Sequence, residues 1–161
     1  AEKQNTEALW WLYDLNLSIK HDSITAVTYL EQACEKNLPE ALNNMGYYYA
    51  HGIIVKQDLE KATTLLQKAT SLNSGMAYNN LGNIYSAKEL TKTPDWSKAA
   101  DCFYKGAELN CPEAIYNYSL CLKKGKGVKK DKQAAKRWLE EAAKNGSEEA
   151  LKELGKRKIN L

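Results

Sequence analysis

The sequence predicts an all-α chain: a right-handed superhelical α/α solenoid of about four helix pairs, closed by a C-terminal capping helix. Three observations predict it. Three prolines and nine glycines in 161 residues leave too few turn formers for an all-β chain. Small and apolar residues recur at helical spacing. Above all, one segment is repeated along the chain at a nearly constant period.

Ala41-Leu-Asn-Asn-Met-Gly-Tyr-Tyr-Tyr49 matches Ala77-Tyr-Asn-Asn-Leu-Gly-Asn-Ile-Tyr85, and Ala114-Ile-Tyr-Asn-Tyr-Ser-Leu-Cys-Leu122 follows with Ser119 in place of the glycine. Ala150-Leu-Lys-Glu-Leu-Gly155 opens one more copy, so the leading alanines step by 36, 37 and 36 residues. A second marker keeps the same step at Ala26, Ala62, Ala99 and Ala135. Two markers with one period define units of roughly 6–37, 38–73, 74–110 and 111–146, followed by a capping helix over 147–158. Together they form a single solenoid domain over 1–161.

Each unit reads as two helices. Ala41, Met45 and Tyr49 fall four apart and share a face, and Gly46 on that face lets a partner helix approach closely. Ala62, Leu65 and Ala69 are expected to form the matching stripe of the second helix. Pro39 and Pro112 suit the first turns of first helices, and Asp58 and Asp131 suit the N-caps of second helices. Lys152, Glu153, Lys156, Arg157 and Lys158 suit the solvent side of the cap.

The net charge of +3 hides an asymmetry, since residues 1–95 carry −3 and residues 96–161 carry +6. No run approaches the ~18 apolar residues of a membrane span, so no membrane insertion is expected. No charged and apolar leader pattern is visible, and the chain begins at Ala1 without Met, which favours an exported or periplasmic form over a cytoplasmic one.

Catalytic chemistry is poorly supplied. The only histidines are His21 and His51, and neither a G-x-S-x-G elbow nor a phosphate loop is present. Cys34, Cys102, Cys111 and Cys121 are irregularly spaced without a C-x-x-C, so they read as free packing residues, with no metal site and no cofactor. The lysines of 123–132 have no interleaved aromatic residue and read as a solvated loop, not a nucleic-acid site. Asn44, Asn80 and Asn117 read as structural links between adjacent helices. Pro94 and Trp96 read as a plug over the third pair.

The fourth unit joins its helices by Gly125-Lys-Gly127-Val128-Lys-Lys-Asp131, then continues Ala134-Ala135-Lys-Arg-Trp138 and Glu141-Ala142-Ala143-Lys-Asn-Gly146. The second unit keeps Gly52, Val55, Asp58, Lys61 and Ala62 of the same order. This grammar resembles the Sel-one-like repeat (SLR) family, relatives of the tetratricopeptide repeat, over nearly the whole chain. Two departures stand out: Tyr13 occupies the glycine position of the first unit, and the third unit replaces G-x-G-V with Lys88-Glu-Leu-Thr-Lys-Thr-Pro-Asp-Trp96.

The resemblance implies a non-catalytic protein-binding module, an adaptor or stoichiometric binder, whose first helices line a concave groove. The groove candidates are Glu7, Trp10 and Asp14 in the first unit and Glu40, Asn43 and Tyr47 in the second. The third unit adds Met76, Asn79 and Asn83, and the fourth adds Glu113, Tyr116, Leu120 and Lys123. The implied partner is another protein, a toxin or effector, or a peptide segment of a larger complex, bound by a monomer. The alternative is a bacterial immunity protein that neutralises a toxin such as a secreted lipase. An enzyme comes third: cysteine-rich relatives linked to β-lactams carry a regular cysteine pair per repeat, whereas here Cys34 lacks its match.

Overall fold

The computed structural model describes residues 9, 12–14 and 23–159, together with their side chains except at 23 and 156–159. Glu7, Trp10, His21 and the start of the first unit lie outside the described residues, as do the side chains of Lys156, Arg157 and Lys158. The helices are α1 (Ser23–Glu35), α2 (Pro39–His51), α3 (Leu59–Ser71), α4 (Gly75–Ser86), α5 (Trp96–Glu108), α6 (Pro112–Lys124), α7 (Lys132–Lys144) and α8 (Glu148–Ile159). Leu9 and Leu12–Asp14 are also helical, and there is no strand among the described residues. The chain is an all-α solenoid of helix pairs. It divides into two compact units, 1–74 and 75–161.

The pairs α2–α3, α4–α5 and α6–α7 share the most intimate packing of the structure. Its centre is a large side chain of the second helix set into a gap in the first. A Cβ on Gly46 would lie 2.7 Å from Leu66 Cγ, and one on Gly82 would lie 2.5 Å from Phe103 Cε1. The missing side chains are therefore what lets each pair close. This corrects the stripe read from the sequence: α3 buries Ala62, Leu66 and Ala69, while Leu65 is only half-buried. Leu66 stands four residues after Ala62, where a helical side chain leans onto the same face and enters the glycine gap. Leu30 and Leu139 hold the same place in α1 and α7, and both are buried. Ser119 keeps the gap narrow in α6, its hydroxyl donating to the Tyr116 carbonyl at 2.6 Å. Tyr13 takes the glycine position in the first pair, where it is buried in one cluster with Ala26 and Leu30 and hydrogen-bonds through its hydroxyl to Tyr48.

Helix ends repeat as faithfully as helix faces. Asp58, Asp95 and Asp131 cap α3, α5 and α7, each carboxylate accepting backbone N–H groups of the first turn. The Asp95 cap was not foreseen. The backbone N–H of each cap also reaches back to the end of the preceding first helix, at the Tyr49, Tyr85 and Leu122 carbonyls, at 2.8–3.0 Å. The divergent third loop thus starts and ends on the same two anchors as the others. Pro39 and Pro112 open α2 and α6 as expected.

Second helices end in a left-handed residue, at Asn37, Asn73, Asn110 and Gly146, 36 or 37 residues apart. After each, the next N–H closes back on the helix: Leu38 on Ala33, Ser74 on Ala69, Cys111 on Gly106 and Ser147 on Ala142, at 2.9–3.2 Å. After glycine, Asn is the residue most often found in this conformation at a helix C-terminus.

The loop after α6 needs a second left-handed position at Gly127, φ +72°, where a Cβ would run into the Trp96 carbonyl. Val128 and Trp96 both pack on the cluster of Ala99, Ala100, Phe103 and Cys121, so Trp96 covers the end of its pair. The corresponding residue after α2 is Ile54, which adopts φ +66° despite its β-branch. There the loop geometry overrides the residue's own preference.

Ser147 stands just before α8, and its hydroxyl accepts from the Ala150 N–H at 3.3 Å. Ala150 and Leu154 then pack on Ile115, Leu139 and Ala142.

Three outcomes follow from this packing. Gly82→Val should cost about 3 kcal/mol in denaturant melts, and Phe103→Ala in the same chain should recover part of that loss. Gly127→Ala should also destabilise by about 3 kcal/mol, whereas Ile54→Gly should stabilise by about 1 kcal/mol through relief of the left-handed strain. Deleting residues 147–161 should lower the melting temperature and promote aggregation, read by calorimetry and light scattering.

Candidate functional site

First helices bury one stripe and leave another available. In unit 1–74, α2 buries Ala41, Leu42, Met45, Gly46 and Ala50 and exposes Glu40 and Tyr47. Tyr47 is 40% exposed, with its ring centroid 4.4 Å from that of His51, one turn along the same helix. Asn43, expected in the groove, is only 7% exposed, and its amide donates to Asn44 Oδ1 at 3.2 Å. Asp14 is exposed.

In unit 75–161, α4 exposes Met76, at 39%, and Asn83. Asn79 is 5% exposed and accepts a hydrogen bond from the Asn117 amide at 2.8 Å, which ties α4 to α6. Asn43 and Asn79 are thus withdrawn from the surface by their neighbours, a context that helical spacing alone does not reveal. Asn117 has the bridging role read for it from the sequence.

Helix α8 reaches three further candidates. The Tyr116 hydroxyl lies 3.5 Å from Glu153, and Lys123 forms an ion pair with the same carboxylate at 2.8 Å. Burial, and then the charge of Glu153, push the Tyr116 phenol above its ordinary pKa. Tyr116 also packs against the core beneath α8, so it is half-buried structure as much as surface. Leu120 is half-buried and lines a small cavity of about 340 Å³ beside Lys123, Lys132 and Glu153. Glu113 accepts a weak hydrogen bond from the Cys111 thiol at 3.3 Å. No signal in the sequence paired Glu153 with Lys123 or Tyr116, because helices 30 residues apart meet only through the fold.

The lysine loop is not wholly solvated. Lys126 places its ammonium 3.9 Å from the centroid of the Trp96 ring, so an aromatic residue absent from the local sequence is supplied by α5. Lys124, Lys129, Lys130 and Lys132 remain exposed.

Second helices frame a cleft that sequence reading missed. It lies in unit 1–74 between α1 and α3, with a volume of about 670 Å³. Met45, Tyr49 and Leu65 provide its apolar walls, and Glu31, Glu35, Asp58 and Glu60 its acidic lining. Lys61 stands over Tyr49, 5.3 Å from the ring centroid.

Among the described residues, no group of His, Cys, Asp and Glu is arranged to hold a metal. No described helix is long and apolar enough to cross a membrane. The four cysteines are free thiols, with Cys102, Cys111 and Cys121 buried and Cys34 half-buried. Burial pushes the first three up to about 11 and Cys34 up to about 12, from an ordinary 9.0. All four should therefore stay protonated and resist iodoacetamide at pH 8, while four should alkylate in denaturant without reductant. Because folding raises these pKa values, their contribution to stability is complete below pH 9. It is lost as pH rises towards 11 and beyond, a loss that melts at stepped pH would register.

The Sel1 repeat family model matches residues 11–38, 39–74, 75–111 and 112–147. A Sel1 repeat protein from Oxalobacter formigenes is similar in structure, with a TM-score of 0.79 and 27% identity over 97% of this chain and 63% of that one. A protective antigen of uropathogenic Escherichia coli that displays an SLR fold has a TM-score of 0.78 over 96% of this chain and 33% of its own, and at 24% identity it shares the fold alone. Cysteine-rich protein B of Helicobacter pylori has a TM-score of 0.64 and 28% identity over 84% of this chain and 97% of that one. The chain thus spans less than two thirds of the first two of these proteins. No curated protein matches it. With four matched repeats and the helix pairs to go with them, the chain belongs to the Sel1 repeat family.

Proposed function

We propose that the chain is a non-catalytic protein-binding module, an adaptor or stoichiometric binder, that engages another protein through the exposed side chains of its first helices. Sel1 repeats commonly mediate protein–protein interaction. Tyr47 carries the reading. It is a large amphipathic ring held at 40% exposure on a first helix, steadied by His51 and with Glu40 exposed on the same helix. Tyrosine in such a position offers contact area at little cost in side-chain entropy, and it is over-represented among residues that dominate interfaces. Glu40, and Asp14 on the preceding helical segment, favour a partner segment that is basic or mixed in charge.

The two tyrosines of the sequence prediction now separate. Tyr47→Ala should leave the melting temperature unchanged and weaken partner binding by about 2 kcal/mol. Tyr116→Ala should destabilise the chain by about 2 kcal/mol, because it removes packing under α8. The measurement is capture of the partner on immobilised chain, then titration calorimetry and thermal melts with both variants. Undiminished affinity in Tyr47→Ala would overturn the first-helix assignment, and turnover of a substrate by the purified chain would overturn the non-catalytic one.

A further inference from the structure

The cleft between α1 and α3 has an internal counterpart 73 residues on, set by Ala26 and Ala99, Ala41 and Ala114, and Ala62 and Ala135. In that counterpart Glu31, Met45 and Leu65 are replaced by Tyr104, Tyr118 and Trp138. Those three rings fill the space between α5 and α7. Their centroids lie 5.2 Å, 5.3 Å and 6.3 Å apart, and the tryptophan meets both tyrosines edge-on. The backbone device is the same in the two places. One is plugged by the chain's own aromatic residues and the other stands open at about 670 Å³.

We propose that the open cleft is a second binding site, which takes an aromatic side chain flanked by Lys or Arg from a segment of a partner protein. The aromatic requirement comes from the counterpart, where this frame closes around rings. Met45 and Leu65 provide adaptable apolar walls, and Tyr49 provides an aromatic one. The cationic requirement comes from charge. Glu31, Glu35 and Glu60 join Asp58 around the cleft, and Lys61 is the one cation among its lining residues. Asp58 is already engaged with the Lys61 N–H as a helix cap. Lys61 in turn lies over Tyr49, which shows how this wall receives a cation. The site lies between second helices, with Met45 and Tyr49 of α2 completing its wall, and neither Glu40 nor Tyr47 lines it.

The test uses the whole chain and a fluorescein-labelled peptide, acetyl-Lys-Trp-Lys-Gly-amide, followed by anisotropy at low salt. The peptide should bind, and its Glu-Trp-Glu analogue should not. Leu65→Trp, which imports the plug of the counterpart, should weaken binding by about tenfold while the melting temperature holds or rises. Glu31→Gln with Glu35→Gln changes only exposed carboxylates and should weaken binding by about fivefold. Tyr47→Ala should leave this affinity unchanged, so failure here and failure of the first-helix reading are distinguishable. Absence of peptide binding, or equal binding by the Leu65→Trp chain, would overturn the proposal. So would sedimentation showing self-association of the wild type that Leu65→Trp abolishes, since the cleft would then belong to a second copy.

Discussion

The close approach of each first helix to its second helix depends on a side chain that is not there. Leu66 and Phe103 lie against the backbone of Gly46 and Gly82, and any Cβ would have to displace them. Such contacts supply dispersion energy that a looser pair would forgo, because a gap of even an ångström loses much of each atom pair's attraction. The alanines at 41, 62, 77 and 99 extend the same tight seam on either side, all of them fully buried.

Periodicity in the backbone is stricter than periodicity in the side chains. Three asparagines and a glycine end the second helices in the same left-handed state. The third loop departs in length and composition yet returns Asp95 to the carbonyl of Tyr85, as Asp58 returns to Tyr49. Ile54 adopts the torsion that glycine adopts at 127, at a position where its side chain stays exposed. The loop is held at both ends by a helix cap and a helix terminus, so the intervening residue has little choice.

Side chains, by contrast, vary where the backbone leaves room. Tyr13 shows that even the glycine position can be filled, here with its hydroxyl bonded to that of Tyr48. The cleft walled by Met45 and Leu65 and the aromatic plug of Tyr118 and Trp138 are two fillings of one frame. Differences of this kind change the surface each repeat presents while leaving the fold alone.

The repeat period, the helix pairs, the proline starts and the Asp58 and Asp131 caps were all legible in the sequence, because each rests on chemistry within a few residues. A capping carboxylate needs only the next turn, and a glycine on an apolar face announces a close neighbour without naming it. The step of Asn37, Asn73 and Asn110 was equally local and could have been read by the same period. What the tertiary structure decided was the identity of the neighbours. It placed Leu66 rather than Leu65 in the gap, buried Asn43 and Asn79, brought Glu153 to Tyr116 and Lys123, and set Trp96 beneath Lys126. Each of these turns on which side chain arrives from another helix. Helical spacing gives the direction in which a residue points, and only the packed neighbours determine whether it meets solvent, a carboxylate or a ring.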